Sequence, residues 1–254
     1  MKRVILGCVA IILSSSFMSA QQTDNAATYE SEYGTGREKS DNILLGVTAG
    51  VNMTTYSGDR NAKMGLGGQV GINCDVRISE KFSIMPELIF AYKTVGVDDI
   101  SWNSHNQLVR NESTDKMYYM FVPINVKWST EVGPGRPFVA AGPMIGVGLF
   151  GKNKINDEII RYNSELYQLL LFQPDPNSAY NEYREKPPYS NLDILANVKV
   201  GYDFDFGLAV SLGFQYGFLN MYKMTEKREL IYNEFGLKTS QNSMAFSLSL
   251  GYNF

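Results

Sequence analysis

Cysteine and histidine are almost absent from this sequence. Its 254 residues include two cysteines, Cys8 and Cys74, and one histidine, His105. A structural zinc site takes about four Cys or His ligands, so these residues do not build one. A disulfide needs two cysteines in the mature chain, and Cys8 lies in a segment that we expect to be removed. We therefore expect no metal, no cofactor and no disulfide.

Long apolar runs and an excess of one charge are also missing. No stretch approaches the roughly 20 apolar residues of a membrane-spanning helix. The formal net charge is -3, which gives no broad basic surface for nucleic acid. Tyrosine, phenylalanine and glycine are plentiful instead, at 16, 14 and 23 residues. This mixture is typical of a β-barrel in lipid, whose strands are apolar on one face only.

The first 20 residues have the pattern of a secretory signal peptide. Lys2 and Arg3 give a positive start, residues 4–13 form a short apolar core, and small residues lead to Ala20. We predict a signal peptide over residues 1–20, cleaved after Ala20. Residues 21–42 are polar and unpatterned, which predicts a flexible periplasmic lead-in.

From about residue 43 the side-chain pattern has a period of two. Leu208, Val210 and Leu212, for example, alternate with small residues. Alternation over about ten residues is typical of a tilted strand that crosses a membrane. We predict an all-β fold, an eight-stranded antiparallel up-and-down transmembrane β-barrel over residues 43–254. Its predicted strands cover residues 45–53, 66–78, 82–93, 118–128, 139–149, 192–203, 208–217 and 245–254.

The predicted connections alternate in length. Short ones at residues 79–81, 129–137 and 205–207 separate longer ones at residues 55–64, 94–117, 151–190 and 219–243. In bacterial barrels the short turns lie in the periplasm and the long loops outside, so we predict that both termini are periplasmic. Within the longest connection, apolar residues at helical spacing predict one amphipathic helix: Ile159, Leu166, Leu169 and Leu170.

The second face of each predicted strand carries small residues and a few charges of both signs. An eight-stranded barrel is only wide enough inside for side chains, so small residues belong in the lumen. An unpaired buried charge is costly, and we therefore predict that the charges pair across the lumen. A lumen filled in this way conducts poorly. The predicted polar network comprises Asp75, Arg77, Glu87, Lys127, Asp193, Lys199 and Gln215.

Aromatic residues collect near the ends of the predicted strands. Such rings favour the headgroup region of a bilayer, so they predict where the barrel meets the two membrane surfaces. The outer surface is predicted at Tyr92, Tyr118 and Phe218. The periplasmic surface is predicted at Phe82, Trp128, Tyr202, Phe204, Tyr252 and Phe254.

Five short motifs carry a family resemblance: GVTAGVN (46–52), FSIMPEL (82–88), VPINVK (122–127), AGPMIG (141–146) and LSLGYNF (248–254). With them, residues 43–254 resemble the PorT-like outer-membrane β-barrel domain family, which is similar to OmpA-type and OmpX-type small barrels. The resemblance implies an outer-membrane location. Tyr252 and Phe254 resemble the C-terminal signal that the barrel-insertion machinery reads. Some PorT-type members are implicated in type IX secretion, so the resemblance also implies an accessory role there.

Two further patterns each have a chemical and a structural interpretation. Gly146, Gly148 and Gly151 fit the dinucleotide pattern G-x-G-x-x-G, which needs a parallel βαβ unit; glycines that make room in a narrow lumen explain it better. A catalytic role for His105 requires a serine and a carboxylate. The same loop supplies both kinds of residue, but a solvated loop has this composition too: Asp98, Asp99, Ser101 and Ser104.

The sequence therefore predicts a non-catalytic outer-membrane component, a surface or assembly protein. Its long loops at 94–117, 151–190 and 219–243 are expected to contact a protein partner or the medium. The reasons are the length of these loops and their combined tyrosine content, since tyrosine is favoured at interfaces. Two alternatives stay open: a lipid-modifying enzyme that uses His105, and a small channel. The other expected partners are outer-membrane lipid and the barrel-insertion machinery, without nucleic acid.

Overall fold

A computed structural model describes residues 43–58, 62–102, 108–155, 168–174, 187–221 and 241–254. All of them belong to one compact unit, Asp41–Phe254. The predicted signal peptide at 1–20, the lead-in at 21–42 and His105 lie outside the described residues.

The described residues form nine antiparallel β-strands. Their patterns of alternating apolar and small residues suit a pleated strand, in which successive side chains point to opposite faces. The strands are β1 (Ile43–Ser57), β2 (Ala62–Arg77), β3 (Phe82–Trp102), β4 (Leu108–Ser129), β5 (Gly135–Ile155), β6 (Gln168–Leu170), β7 (Leu192–Phe204), β8 (Leu208–Asn220) and β9 (Asn242–Asn253).

Eight of these strands close into a barrel. Each pairs with its neighbour along the chain, β1 pairs with β9, and β4 pairs with β5, so the sheet has no open side. The ninth strand, β6, is a three-residue addition to the end of β5. The predicted eight-stranded up-and-down barrel is confirmed.

Within the ranges that the structure covers, no α-helix has the length and the hydropathy needed to cross a bilayer.

The two faces of the barrel wall differ as the alternation predicts. On β1, Val51 is 57% exposed and points outward, whereas the next residue, Asn52, is 2% exposed and points into the lumen. The same change of face separates Ile124, at 51%, from Asn125, at 0%. Exposed apolar side chains cover the outside, which is the arrangement of a barrel surrounded by hydrocarbon.

The two ends of the barrel are distinguished by their connections. At the end that we name the turn end, residues 78–81, 130–134 and 205–207 join the strands, and both Ile43 and Phe254 lie there. Gly207 has a φ of 98°, a left-handed conformation that glycine adopts without strain, and this permits the tight turn between β7 and β8. The opposite end, which carries the connections 58–61, 103–107, 156–191 and 221–241, is the loop end.

Two predictions about the connections are wrong. Most of residues 94–117 form a paired hairpin rather than a loop, because β3 and β4 stay in register as far as Trp102 and Leu108. Leu169 and Leu170 belong to β6 and pair with β5, so they are not part of a helix. The other residues proposed for that helix, Ile159 and Leu166, lie outside the described residues.

Aromatic side chains border the outward apolar surface at both ends. Near the loop end, the Tyr118 ring lies 4.9 Å from the Tyr92 ring and 4.6 Å from the Phe150 ring, measured between centroids. We name these three residues the loop-end belt. Near the turn end, the Tyr202 and Phe204 rings are tilted against each other, with centroids 4.8 Å apart. Ile124 on β4 lies between the two borders, near mid-height of the apolar surface.

The outward face predicts a position-dependent cost for a charge. Ile124→Arg places a cation in the apolar surface and should lower the free energy of unfolding by about 2–4 kcal/mol. Val132→Arg is the matched control, because Val132 is similarly exposed, at 55% against 51%, but lies in the 130–134 connection. Urea unfolding in phosphatidylcholine vesicles measures both variants. Equal losses would show that hydrocarbon does not cover Ile124.

Candidate functional site

The turn-end part of the lumen holds one lysine between two carboxylates. Lys127 Nζ on β4 lies 2.6 Å from Asp75 Oδ2 on β2 and 2.6 Å from Asp203 Oδ2 on β7. Its ammonium group also lies 4.7 Å from the centroid of the Phe138 ring. These contacts tie three strands together across the interior.

A second charged cluster lies farther inside. Lys199 Nζ donates to both carboxylate oxygens of Glu87, at 2.6 Å each. Asn125 Nδ2 donates to Glu87 Oε1 at 2.9 Å, and Asn197 Nδ2 donates to Asn125 Oδ1 at 3.0 Å. We name Glu87, Asn125, Asn197 and Lys199 the central network. Buried charges that are paired and hydrogen-bonded avoid most of the cost of lost hydration.

The structure places six of the seven residues of the predicted polar network inside the barrel. Arg77 is the exception: it is exposed at the turn end, because it is the last residue of β2 and its side chain has left the lumen. The residues inside, all less than 9% exposed, are Asp75, Glu87, Lys127, Asp193, Lys199 and Gln215.

Lys93 is a buried cation that the predicted network did not include. It is 2% exposed, and its Nζ lies 4.3 Å from the centroid of the Phe121 ring. Neither Lys93 Nζ nor Asp193 Oδ1 has a hydrogen-bond partner among the described residues, although the two side chains interact electrostatically. The sequence signal for Lys93 was its inward position on the predicted third strand.

Lys93 lies among apolar side chains that include Tyr119 and Phe121, and a segment of chain that follows β6 fills this part of the lumen. Leu171 and Phe172, which follow β6, are 0% and 7% exposed. A Cβ on Gly148 would come within 2.7 Å of the Phe172 ring, and a Cβ on Gly151 within 3.2 Å of the Leu171 side chain. The glycines therefore make room for side chains, as predicted. Because β5 pairs antiparallel on both sides, it belongs to no βαβ unit.

Asp115 on β4 binds Tyr189, a second residue that occupies the lumen. The carboxylate of Asp115, fully buried, accepts hydrogen bonds from Tyr56 Oη at 3.1 Å, Tyr189 Oη at 2.9 Å and Asn153 Nδ2 at 2.6 Å. Tyr189 lies between β6 and β7, and the bond from its hydroxyl holds this residue inside the barrel. We name residues 171–172 and 189 the plug.

The other residues singled out in the sequence are not part of this interior. His105 and Ser104 lie outside the described residues, and for Asp98, Asp99 and Ser101 only the backbone is described, as part of β3. Tyr252 and Phe254 are exposed, with ring centroids 5.6 Å apart. Their role as an insertion signal stays a prediction. In the part of the chain that is described, no group of three His, Cys, Asp or Glu side chains is placed to hold a metal.

A closed eight-stranded sheet with an apolar exterior and a filled interior defines a small transmembrane β-barrel. The family described as outer membrane protein beta-barrel domain matches residues 20–223. The chain belongs to this family, and it is an outer-membrane protein.

Solved structures with a similar fold have little sequence in common with this chain. Neisserial surface protein A is 12% identical, with 83% of this chain and 97% of that one covered and a TM-score of 0.37. Ail, the attachment invasion locus protein of Yersinia pestis, is 10% identical, with coverage of 84% and 99% and a TM-score of 0.41. The outer membrane enzyme PagL is 10% identical, with coverage of 80% and 98% and a TM-score of 0.32. No curated protein sequence matches the chain significantly.

The central network predicts a strong dependence of stability on charge balance. Lys199→Met leaves the Glu87 carboxylate buried without its cation and should cost about 3–5 kcal/mol of unfolding free energy. The double variant Glu87→Gln/Lys199→Met removes both charges and should recover most of that loss, because the new amide oxygen still accepts from Asn125. Urea titrations of the refolded barrel measure both. A double variant that is as unstable as the single one would contradict a paired interior.

The plug predicts a sharp difference in chemical access between neighbouring residues. In a background with both native cysteines changed to alanine, Leu171→Cys should react with a membrane-impermeant maleimide at least about tenfold more slowly than Gln173→Cys. Leu171 is 0% exposed, whereas Gln173 is exposed two residues later. Labelling of the purified folded protein is followed by mass spectrometry. Equal rates would mean that the plug does not occupy the lumen.

Proposed function

We propose that this protein is a non-catalytic outer-membrane component that presents its loop end to a protein partner at the cell surface. The supporting observation is the length of three neighbouring strands. A tilted strand crosses a membrane in about ten residues, but β3, β4 and β5 contain 21, 22 and 21 residues. Their excess length extends beyond the loop-end belt as a continuous sheet. A barrel that only anchors the chain in lipid needs no such extension.

The filled interior supports an interaction role over a channel. The Lys127 and Lys199 ion pairs cross the turn-end half of the lumen, and Leu171 and Phe172 occupy the loop-end half. An eight-stranded barrel has room inside only for its own side chains. The protein therefore offers its outer surface and loop end, rather than a pore, to other molecules.

The proposed orientation places the turn end and both termini in the periplasm. Short turns are periplasmic and longer connections extracellular in bacterial barrels of this class. The turn end has connections of 78–81, 130–134 and 205–207, whereas the loop end carries 156–191 and 221–241. The extended sheet of β3–β5 then stands on the outside of the cell.

An accessory role in type IX secretion is the specific form of this proposal. Its support is the resemblance of the motifs at 82–88, 122–127 and 141–146 to PorT-like barrels. A lipid-modifying enzyme would depend on His105, and the described residues offer no observation in favour of that alternative.

Replacement of loop segments tests the proposal. Residues 175–186 are exchanged for a glycine-serine sequence of equal length, which keeps Leu171, Phe172 and Tyr189 and so keeps the plug. We expect a folded barrel, with unchanged migration of the unboiled protein on a gel. In a strain whose own gene is deleted, we expect this variant to lose secretion of type IX cargo into the medium.

The control variant exchanges residues 59–61, at the same end of the barrel, and should support normal secretion. If exchanges of 175–186 and of 222–240 both leave cargo secretion and cell adhesion at wild-type levels, the proposed surface role is wrong.

A further inference from the structure

Lys93 and Asp193 are buried charges of opposite sign that lie in the lumen without a direct bond between them. Lys93 on β3 is 2% exposed and Asp193 on β7 is 1% exposed. The two charges interact electrostatically. Among the described residues, however, both Lys93 Nζ and Asp193 Oδ1 lack a hydrogen-bond partner. In the central network, by contrast, Lys199 Nζ lies 2.6 Å from Glu87 Oε1.

The ammonium group of Lys93 is held beside two aromatic rings. Its Nζ lies 4.3 Å from the centroid of the Phe121 ring and 5.6 Å from the centroid of the Tyr119 ring. The face of an aromatic ring attracts a cation through its quadrupole. An ammonium group also has three N–H donors, and the rings do not offer them an oxygen acceptor. Lys93 therefore still requires a hydrogen-bond acceptor.

Glycine at position 217 keeps side-chain atoms of β8 away from the Asp193 carboxylate. A Cβ on Gly217 would lie 2.9 Å from Asp193 Oδ1 and 3.2 Å from Oδ2. A side chain at this position would thus press against both oxygens. With glycine there, one side of the carboxylate is left to a small molecule.

The opposite charges of the two groups determine which kind of molecule fits between them. A cation would be repelled by Lys93, and an anion would be repelled by Asp193. Water is neutral, and it can accept a hydrogen bond from the ammonium group while it donates one to the carboxylate. Buried waters in proteins typically make about three hydrogen bonds to polar groups that otherwise have no partner.

We propose that Lys93 and Asp193 bind a water molecule between them inside the barrel. Lys93 Nζ donates a hydrogen bond to the water oxygen, and the water donates one to Asp193 Oδ1. The two charges are then paired through the water, and both unpartnered atoms are satisfied. This inference does not use the proposed function or the orientation of the barrel in the membrane.

The proposed water site lies between the plug and the central network. Phe121, which contacts the Lys93 ammonium group, belongs to the same buried cluster as the plug residues. Asp193 is the second residue of β7 (Leu192–Phe204) at the loop end, and Lys199 of the central network lies farther toward the turn end. The bound water is thus enclosed by protein on both sides along the barrel axis.

A crystal structure of the full-length barrel, at a resolution that shows ordered water, tests the proposal. We expect density for a water oxygen about 2.7–3.2 Å from both Lys93 Nζ and Asp193 Oδ1. A direct contact between Lys93 and Asp193, or the lack of density between them, would overturn the proposal. Crystals grown in bromide distinguish an anion from water, since an anomalous peak at this position would also overturn it.

Two methionine variants test whether Lys93 holds the water. Lys93→Met removes the donor and keeps an unbranched side chain, so the density should be lost. Lys116→Met changes an exposed lysine on the next strand and is the matched control, which should keep the density. Water that stays in place in Lys93→Met would contradict the proposal. If Lys93→Met does not fold, the density in the wild-type protein decides the question.

Discussion

The narrow interior of a closed eight-stranded sheet is the constraint on which the rest of this structure depends. In hydrocarbon every backbone N–H and C=O must be paired, and closure of β1 on β9 and of β4 on β5 achieves this without an open edge. Closure at eight strands leaves an interior that only side chains fill. One face of each strand must therefore be apolar, because it lies against lipid. The side chains on the other face must fill the lumen and pair with one another.

The interior meets this requirement in two different ways along its height. In the turn-end half, the strands themselves supply charges that pair across the lumen, as in Lys127 with Asp75 and Asp203. In the loop-end half, Phe121 and Met144 belong to one buried apolar cluster with Leu171 and Phe172, which arrive from a connection between strands. The buried Asp115 carboxylate in this half is held by hydrogen bonds. The barrel is closed by its own chain on that side. This is why we propose the outward surface and the loop end, rather than the lumen, as the parts that meet other molecules.

The sequence predicts the membrane-spanning strands well, because they depend on the two-residue period. It predicts the parts of the chain beyond the membrane poorly. Beyond the lipid, the contrast between apolar outward residues and polar inward residues disappears. On β4, close to Tyr118, the outward Lys116 and the inward Asp115 are both charged. Residues 108–117 therefore gave no strand signal. Leu169 and Leu170 form an apolar run too short to distinguish strand from helix, and pairing with β5 decides it. The plug was not predictable, because its contacts join segments that are distant in sequence.

Three of the five sequence motifs, at 82–88, 122–127 and 141–146, contain a proline, and these prolines lie beside the central network. Pro86, Pro123 and Pro143 lie on β3, β4 and β5, opposite Ile124, Met144 and Ala196 respectively, so that they form a row across neighbouring strands. A proline has no N–H, and each one removes a donor from the ladder between strands. The central network lies beside this row, where Asn125 reaches Glu87 on β3 and Lys199 reaches it from β7. The side-chain bonds of the network thus join β3 to β4, and both of these strands to β7, beside the row in which backbone donors are missing.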